Sequence, residues 1–167
     1  MCQHGGMTDS RLERWDPEER MHGQVSTFVS GVLSRVRSVA LRGDNYMLDE
    51  YPQDSCLAVS YALGHLLYEY GYGTWLQVEG VNVVGDKHSW LELHDRDSTV
   101  RLVVDATVHQ FEGFDGPLIG PETLEVHETY FNQRRVRLMP WAEAELAHEL
   151  FAKTLDDVRA VIAAEDV

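Results

Sequence analysis

The stretch from His88 to Asp105 constrains the fold more than any other part of the chain. It reads His88-Ser89-Trp90-Leu91-Glu92-Leu93-His94, a polar run at 95–98, then Thr99-Val100-Arg101-Leu102-Val103-Val104-Asp105. Two runs with period-two alternation around a polar turn are the signature of an antiparallel hairpin. Folding the stretch about its turn sets His94 against Thr99, Glu92 against Arg101, Trp90 against Val103 and His88 against Asp105. On the other face Leu93 meets Val100, Leu91 meets Leu102 and Ser89 meets Val104. That face is almost wholly apolar and has to be covered, while the first carries an opposite-charge pair in mid-strand. A slip of one residue would exchange the faces and bury the charges, so the register is strongly specified. Directly opposed residues have Cβ atoms about 5 Å apart, close enough for His88 and Asp105 to share a hydrogen bond.

Helical patterns lie on both sides of this hairpin. Over 24–40, Val25, Phe28, Val29, Val32, Leu33, Val36 and Val39 recur at three-and-four spacing, which predicts one buried helix face. The many valines have low helix propensity, so packing has to hold the segment. Gly43-Asp44-Asn45 stops it, and a loop over 46–54 leads to a second helix over 56–70. There Leu57, Leu63, Leu66 and Leu67, with Ala58 and Ala62, describe a largely buried central helix, with Gly71 as its C-cap. Asp54 or Ser55 can cap its N-terminus by accepting from first-turn amides. Cys56 then sits where the helix dipole favours a thiolate.

The remaining elements are a strand over 74–81, a long connection over 106–131, a strand over 136–139 ended by Pro140, and a helix over 141–164. In the last, Leu146, Leu150, Leu155, Val158 and Ile162 face inward, and the 154–157 stretch is a possible break. The connection is long enough to be functional; its glycines and aromatics suit a wall or lid over a cleft, or an ordinary excursion with a short strand near Val126. Residues 1–22 lack periodicity and carry Gly5, Gly6 and Pro17, so they read as a flexible tail before a single domain over 23–167. The fold class is α+β, with helices packed on an antiparallel sheet.

At 167 residues the chain has room for one substantial core. It carries 14 basic and 28 acidic residues, a net charge of −14, and its only lysines are Lys87 and Lys153. Without a basic stripe to neutralise phosphates, nucleic acid is not an expected partner. No apolar run reaches the roughly 20 residues of a membrane helix, and the acidic start is unlike a signal peptide. The expectation is a cytoplasmic protein, with export by a route independent of a signal peptide left open. Its two cysteines, Cys2 and Cys56, are too few for a Cys-x-x-Cys zinc pair.

Cysteine catalysis needs a thiolate, a base to pair with it and a third group to orient the base. Cys56, His88 and Asp105 are the residues placed to supply those roles. The backbone N–H of Cys56 can stabilise an oxyanion, and Gln53 is the candidate side-chain donor. Trp90, His109 and Phe111 are candidates for the cleft wall. No cofactor or metal is expected for this chemistry. Two other readings stay open: Cys56, His88 and Asp105 as zinc ligands with an open position, and a non-catalytic binding module.

The order Cys56, then His88 in His-Ser-Trp-Leu-Glu, then Asp105 in Val-Val-Asp-Ala-Thr, resembles the core of the transglutaminase-like and papain-like cysteine enzymes, their bacterial members especially. The likeness spans roughly 50–112. It implies a cysteine at the start of the central helix, with histidine and aspartate on adjacent antiparallel strands. It also implies acyl transfer through an acyl-enzyme: peptide hydrolysis, glutamine deamidation, or transfer to an amine as in a transglutaminase. The expected partners are a protein or peptide substrate, or a small-molecule amide or amine. The chain departs from papain-like patterns where Leu57 follows the cysteine and Tyr51-Pro52-Gln53-Asp54-Ser55 replaces a glycine-rich approach.

Overall fold

The computed structural model describes residues 17–121, 125–130, 133–140 and 148–165. Helix α1 (Pro17–Arg42) begins well before the apolar repeat. Proline suits a first helical turn because its missing N–H is not needed there and its φ is already helical. Residues 17–22 therefore belong to the helix and not to a tail, and 1–16 lie outside the described residues. The predicted stripe is the buried one: Val25, Val29, Val32, Leu33, Val36 and Val39 are all core.

After a short 3-10 turn at Tyr46–Leu48 the chain enters α2 (Cys56–Glu69). Its middle is buried on every side, from Ala58 to Gly64 and again at Leu66 and Leu67. Such a helix has core around it and is not amphipathic. Its exit is a Schellman turn: Tyr72 N–H donates to Leu67 O at 2.8 Å and Gly71 N–H to Tyr68 O at 3.1 Å. Gly71 takes φ +81°, which L side chains resist.

Five strands follow: β1 (Leu76–Val81), β2 (Lys87–His94), β3 (Val100–Asp105), β4 (Leu118–Gly120) and, after the four-residue helix α3 (Glu125–Glu128), β5 (Gln133–Leu138). Their order is β4-β3-β2-β1-β5, with every neighbouring pair antiparallel. Helix α4 (His148–Glu165) closes the chain. Helix α2 lies on β1 and β2, and α1 and α4 pack against it and against each other. The main core fills that helical layer. A smaller cluster of Val78, Trp90, Val103 and Tyr130 lies apart from it.

Several expectations are corrected. The hairpin register differs from the simple fold by two residues: Leu91 pairs with Val104, Glu92 with Val103 and Leu93 with Leu102, and a bulge between Leu93 and His94 restores the turn. Because the offset is even, each residue keeps its face. The Glu92–Arg101 pair does not form. Arg101 bonds Asp95 at 3.3 Å, and the fully buried Glu92 accepts from Arg134 at 2.6 Å and Trp90 at 2.8 Å. The long connection holds a 3-10 turn (Val108–Gln110), β4 and α3, so Val126 is helical and not in a strand. Helix α4 runs unbroken through Thr154, whose hydroxyl donates to Leu150 O at 3.1 Å. Leu155 and Val158 are buried and Ile162 partly so, but Leu150 is 43% exposed. Leu146 lies outside the described residues.

Candidate active site

Ser55 precedes α2 as its N-cap, yet its hydroxyl donates to Pro52 O at 3.0 Å and caps no amide. Asp54 is held at φ +52° in the preceding turn. Neither Ser55 nor Asp54 therefore caps the first-turn N–H groups of α2, whose first helical residue is Cys56. A buried polar network fixes that turn to the sheet. Gln77 donates to Leu57 O at 3.1 Å and to Ser60 Oγ at 2.8 Å, and Ser60 Oγ lies 2.9 Å from Ser89 Oγ. Gln77 is a buried glutamine near the start of β1, and nothing in the sequence marks its role.

His88 and Asp105 are fully buried and joined by a 2.7 Å bond between Nε2 and Oδ2. Continuing the observed register would set Trp90, not His88, against Asp105. The contact is therefore diagonal, within reach of two side chains of this length. Two residues that sequence reasoning passed over complete the group. His127, also fully buried, places Nε2 2.9 Å from the same Oδ2 of Asp105. Gln110 places its amide nitrogen 3.0 Å from the other ring nitrogen of His88, Nδ1. No local pattern marks His127, which arrives from α3 after the long connection. The aromatic rings of Trp90, Phe111 and Tyr130 enclose His88, with centroids 5.7, 4.8 and 5.5 Å away.

These residues open on a cleft of about 540 Å³. Cys56, Gln53, His88, Gln110, Phe111 and Tyr130 all line it. So do the carboxylates of Glu50, Asp54, Glu79 and Asp86, against Lys87, the one cation among the described lining residues. A second cavity of about 380 Å³ shares Met47, Glu50, Gln53 and Asp54 with the first, and adds Asp49 and the exposed ring of Tyr46. Trp90 is buried beneath the His88 ring and does not line the cleft. His109 also lies off it, edge-on to Tyr51 at 5.8 Å.

Gly80 keeps the wall in place. It pairs with His88 across β1 and β2, and a Cβ on it would stand 2.3 Å from the backbone oxygen of Tyr130. Gly80→Ala is expected to push Tyr130 off the histidine and to cost about 1–3 kcal/mol, the usual range for overpacking. Urea unfolding measures the loss; a variant as stable as the parent would show that the wall moves freely.

The electrostatics depart from the simple expectation for the thiol. Burial pushes Cys56 up to about 12; the backbone N–H groups of Ser89 and Leu57 work against this, and the Asp105 and Glu79 carboxylates add to it. The helix end does not produce a resting thiolate, because desolvation of the charged form outweighs the dipole. For Asp105, burial pushes the carboxyl up, but hydrogen bonds from His127 and His88 and their charges overcome this and hold it at about 2. Among the described residues, the one grouping of three possible metal-ligand atoms within 4.8 Å is His88, Asp105 and His127. Cys56 is not in it, so the alternative zinc set of Cys56, His88 and Asp105 is not the set gathered here. Both histidine nitrogens of the grouping are already engaged by Asp105.

No family model matches the chain, and neither a curated protein nor a solved structure does. Among the described residues no helix is long and apolar enough to cross a membrane. The site therefore has to be read from its own chemistry.

Proposed function

We propose that the chain is a cysteine-dependent amide hydrolase, acting on a peptide bond or a glutamine side chain through an acyl-enzyme, on a papain-like or transglutaminase-like core. The observation that carries this reading is the orientation of His88. Its Nε2 is bound to Asp105 while its Nδ1 is directed away, and the ring lines the same cleft as Cys56. Cys56 takes a hydrogen bond from the backbone N–H of Ser89, the residue after His88, so the thiol is tied to the strand that carries the base.

The thiol proton passes to His88 Nδ1 as Sγ attacks the amide carbonyl. In this reading the backbone N–H of Cys56 and the side chain of Gln53, which lines the same cleft, are the donors for the oxyanion. His88 returns the proton to the leaving amine, and water attacks the resulting thioester with His88 as base. Asp105 holds the ring in one tautomer throughout. The carboxylates on the cleft walls favour a substrate with a positive charge beside the amide. They equally favour an amine as acyl acceptor, so transfer in the manner of a transglutaminase is the second reading.

The test offers an arginine p-nitroanilide and a glutamate p-nitroanilide, with and without a primary amine, and looks for the acyl adduct by peptide mass spectrometry. The adduct is expected on Cys56, at least tenfold faster from the arginine compound, with free acid as product unless the amine intercepts it. Absence of any adduct from these amides and from activated esters, in a folded protein, would remove the enzymatic reading.

A further inference from the structure

We propose that Gln110 is a positioning residue that caps His88 Nδ1 in the resting protein and has to release that nitrogen before Cys56 can hand over its proton. The inference rests on the acyl-transfer reading and specifies how the site is held at rest.

The hydrogen bonds define the resting proton arrangement. A carboxylate only accepts, so the 2.7 Å bond to Asp105 requires the hydrogen of the neutral ring to be on His88 Nε2. Nδ1 then carries a lone pair. The partner 3.0 Å from it is the Gln110 amide nitrogen, which can only donate. In this arrangement His88 is hydrogen-bonded at both nitrogens, and the basic position it would offer the thiol is occupied. A thiol that meets a capped base beside the Asp105 and Glu79 carboxylates stays protonated.

Gln110 is built for this position by the chain around it. It ends the 3-10 turn Val108–Gln110, which begins just after Asp105. The backbone N–H of Thr107 donates to Asp105 Oδ1 at 3.1 Å, and that of Gln110 to Thr107 O at 2.9 Å. One carboxylate therefore anchors both the histidine and the turn that carries its cap. Gln110 is only partly buried and lines the cleft, so a substrate amide entering beside Cys56 meets it directly.

Release has a simple chemical form. The Gln110 amide first turns away, which leaves the Nδ1 lone pair free to take the thiol proton. Rotation of the amide by half a turn presents Oε1, which accepts from the new N–H. The proton leaves Sγ, joins Nδ1 and is neither gained nor lost elsewhere. Among the described residues the other titratable groups at the ring or lining its cleft include Asp105 and His127 from β3 and α3, Tyr130 after α3, Cys56 from α2, Glu79 from β1, Asp86, and Lys87 at the start of β2. None of them occupies Nδ1.

Two variants of the full chain test this, Gln110→Ala and Gln110→Glu, each with Cys2→Ser so that Cys56 alone reports. In 15N NMR of histidine-labelled protein at pH 7, His88 should show an unprotonated Nδ1 in the parent. In Gln110→Glu, whose carboxylate can only accept, Nδ1 should be protonated. Iodoacetamide should alkylate Cys56 about tenfold faster in Gln110→Ala than in the parent at pH 8, since Nδ1 is then free. A protonated Nδ1 in the parent would overturn the inference, as would an alkylation rate in Gln110→Ala within twofold of the parent. The NMR reading depends on His88 alone, whereas the acyl-transfer reading stands or falls on an adduct at Cys56, so the two failures are distinct.

Discussion

His88→Ala is expected to slow acylation of Cys56 by an activated ester about 10²–10⁴-fold, the usual contribution of a positioned acid–base group. The size follows from the resting state of the thiol. With Cys56 pushed up to about 12 by burial, few molecules hold a thiolate at neutral pH, and attack needs a base to remove the proton as the bond forms. His88 is the base in the cleft whose orientation is fixed, by the 2.7 Å bond to Asp105. Deleting a fully buried ring also loosens its surroundings, so rate alone would not separate chemistry from packing. Added imidazole separates them: it should restore part of the rate in His88→Ala and none in Cys56→Ala. A variant that acylates as fast as the parent would end the role of His88 as base.

Asp105→Ala is expected to destabilise the fold by about 3–5 kcal/mol, the range for removing one partner of a buried ionic group. The carboxylate is fully buried and serves three donors: His88 and His127 at Oδ2, and the Thr107 amide at Oδ1. Its loss removes the Nε2 partner of two buried imidazoles. A pH dependence follows, with a definite sign. The folded value of about 2 lies below the ordinary 3.8, so the native state favours the ionised form. That contribution is complete above 3.8 and disappears as pH falls through about 2. Its size is about 2 kcal/mol. In urea unfolding, the gap between the parent and Asp105→Asn should therefore narrow by about that amount between pH 6 and pH 2. A gap of constant width would mean that Asp105 does not ionise more readily in the fold.

What the sequence disclosed, it disclosed through periodicity. The valine stripe of α1, the buried α2 and the alternating strands β2 and β3 follow from patterns of 3.6 and 2 that burial imposes directly. The candidate triad was legible for the same reason, since parity alone puts His88 and Asp105 on one face. Absolute register was not, because the bulge at Leu93 and His94 leaves no mark that alternation can detect. Contacts across long separations were also hidden. His127 reaches Asp105 from beyond a connection with its own strand and helix, and Glu92 finds Arg134 rather than Arg101. The charge state of Cys56 is hidden because a helix end can be read from sequence, while the desolvation that opposes a thiolate depends on what the whole chain packs around the thiol. Gln110 stood in view five residues after Asp105, but a glutamine there says nothing until its partner nitrogen is known.

The bulge bears on how this hairpin tolerates change in length. Pairing is continuous from Leu91 to Leu93, then shifts by one residue before His94 meets Val100. An odd residue at the tip is thereby taken up close to the tip. Without that device, each single insertion or deletion near Asp95–Thr99 would turn one strand over and carry His88 and Asp105 to opposite sides of the sheet. With it, the tip can gain or lose residues while the far ends of β2 and β3 stay in phase. The distal loop is in this sense insulated from the chemistry, and it is the place where variants of this chain can differ in length at least cost to the site.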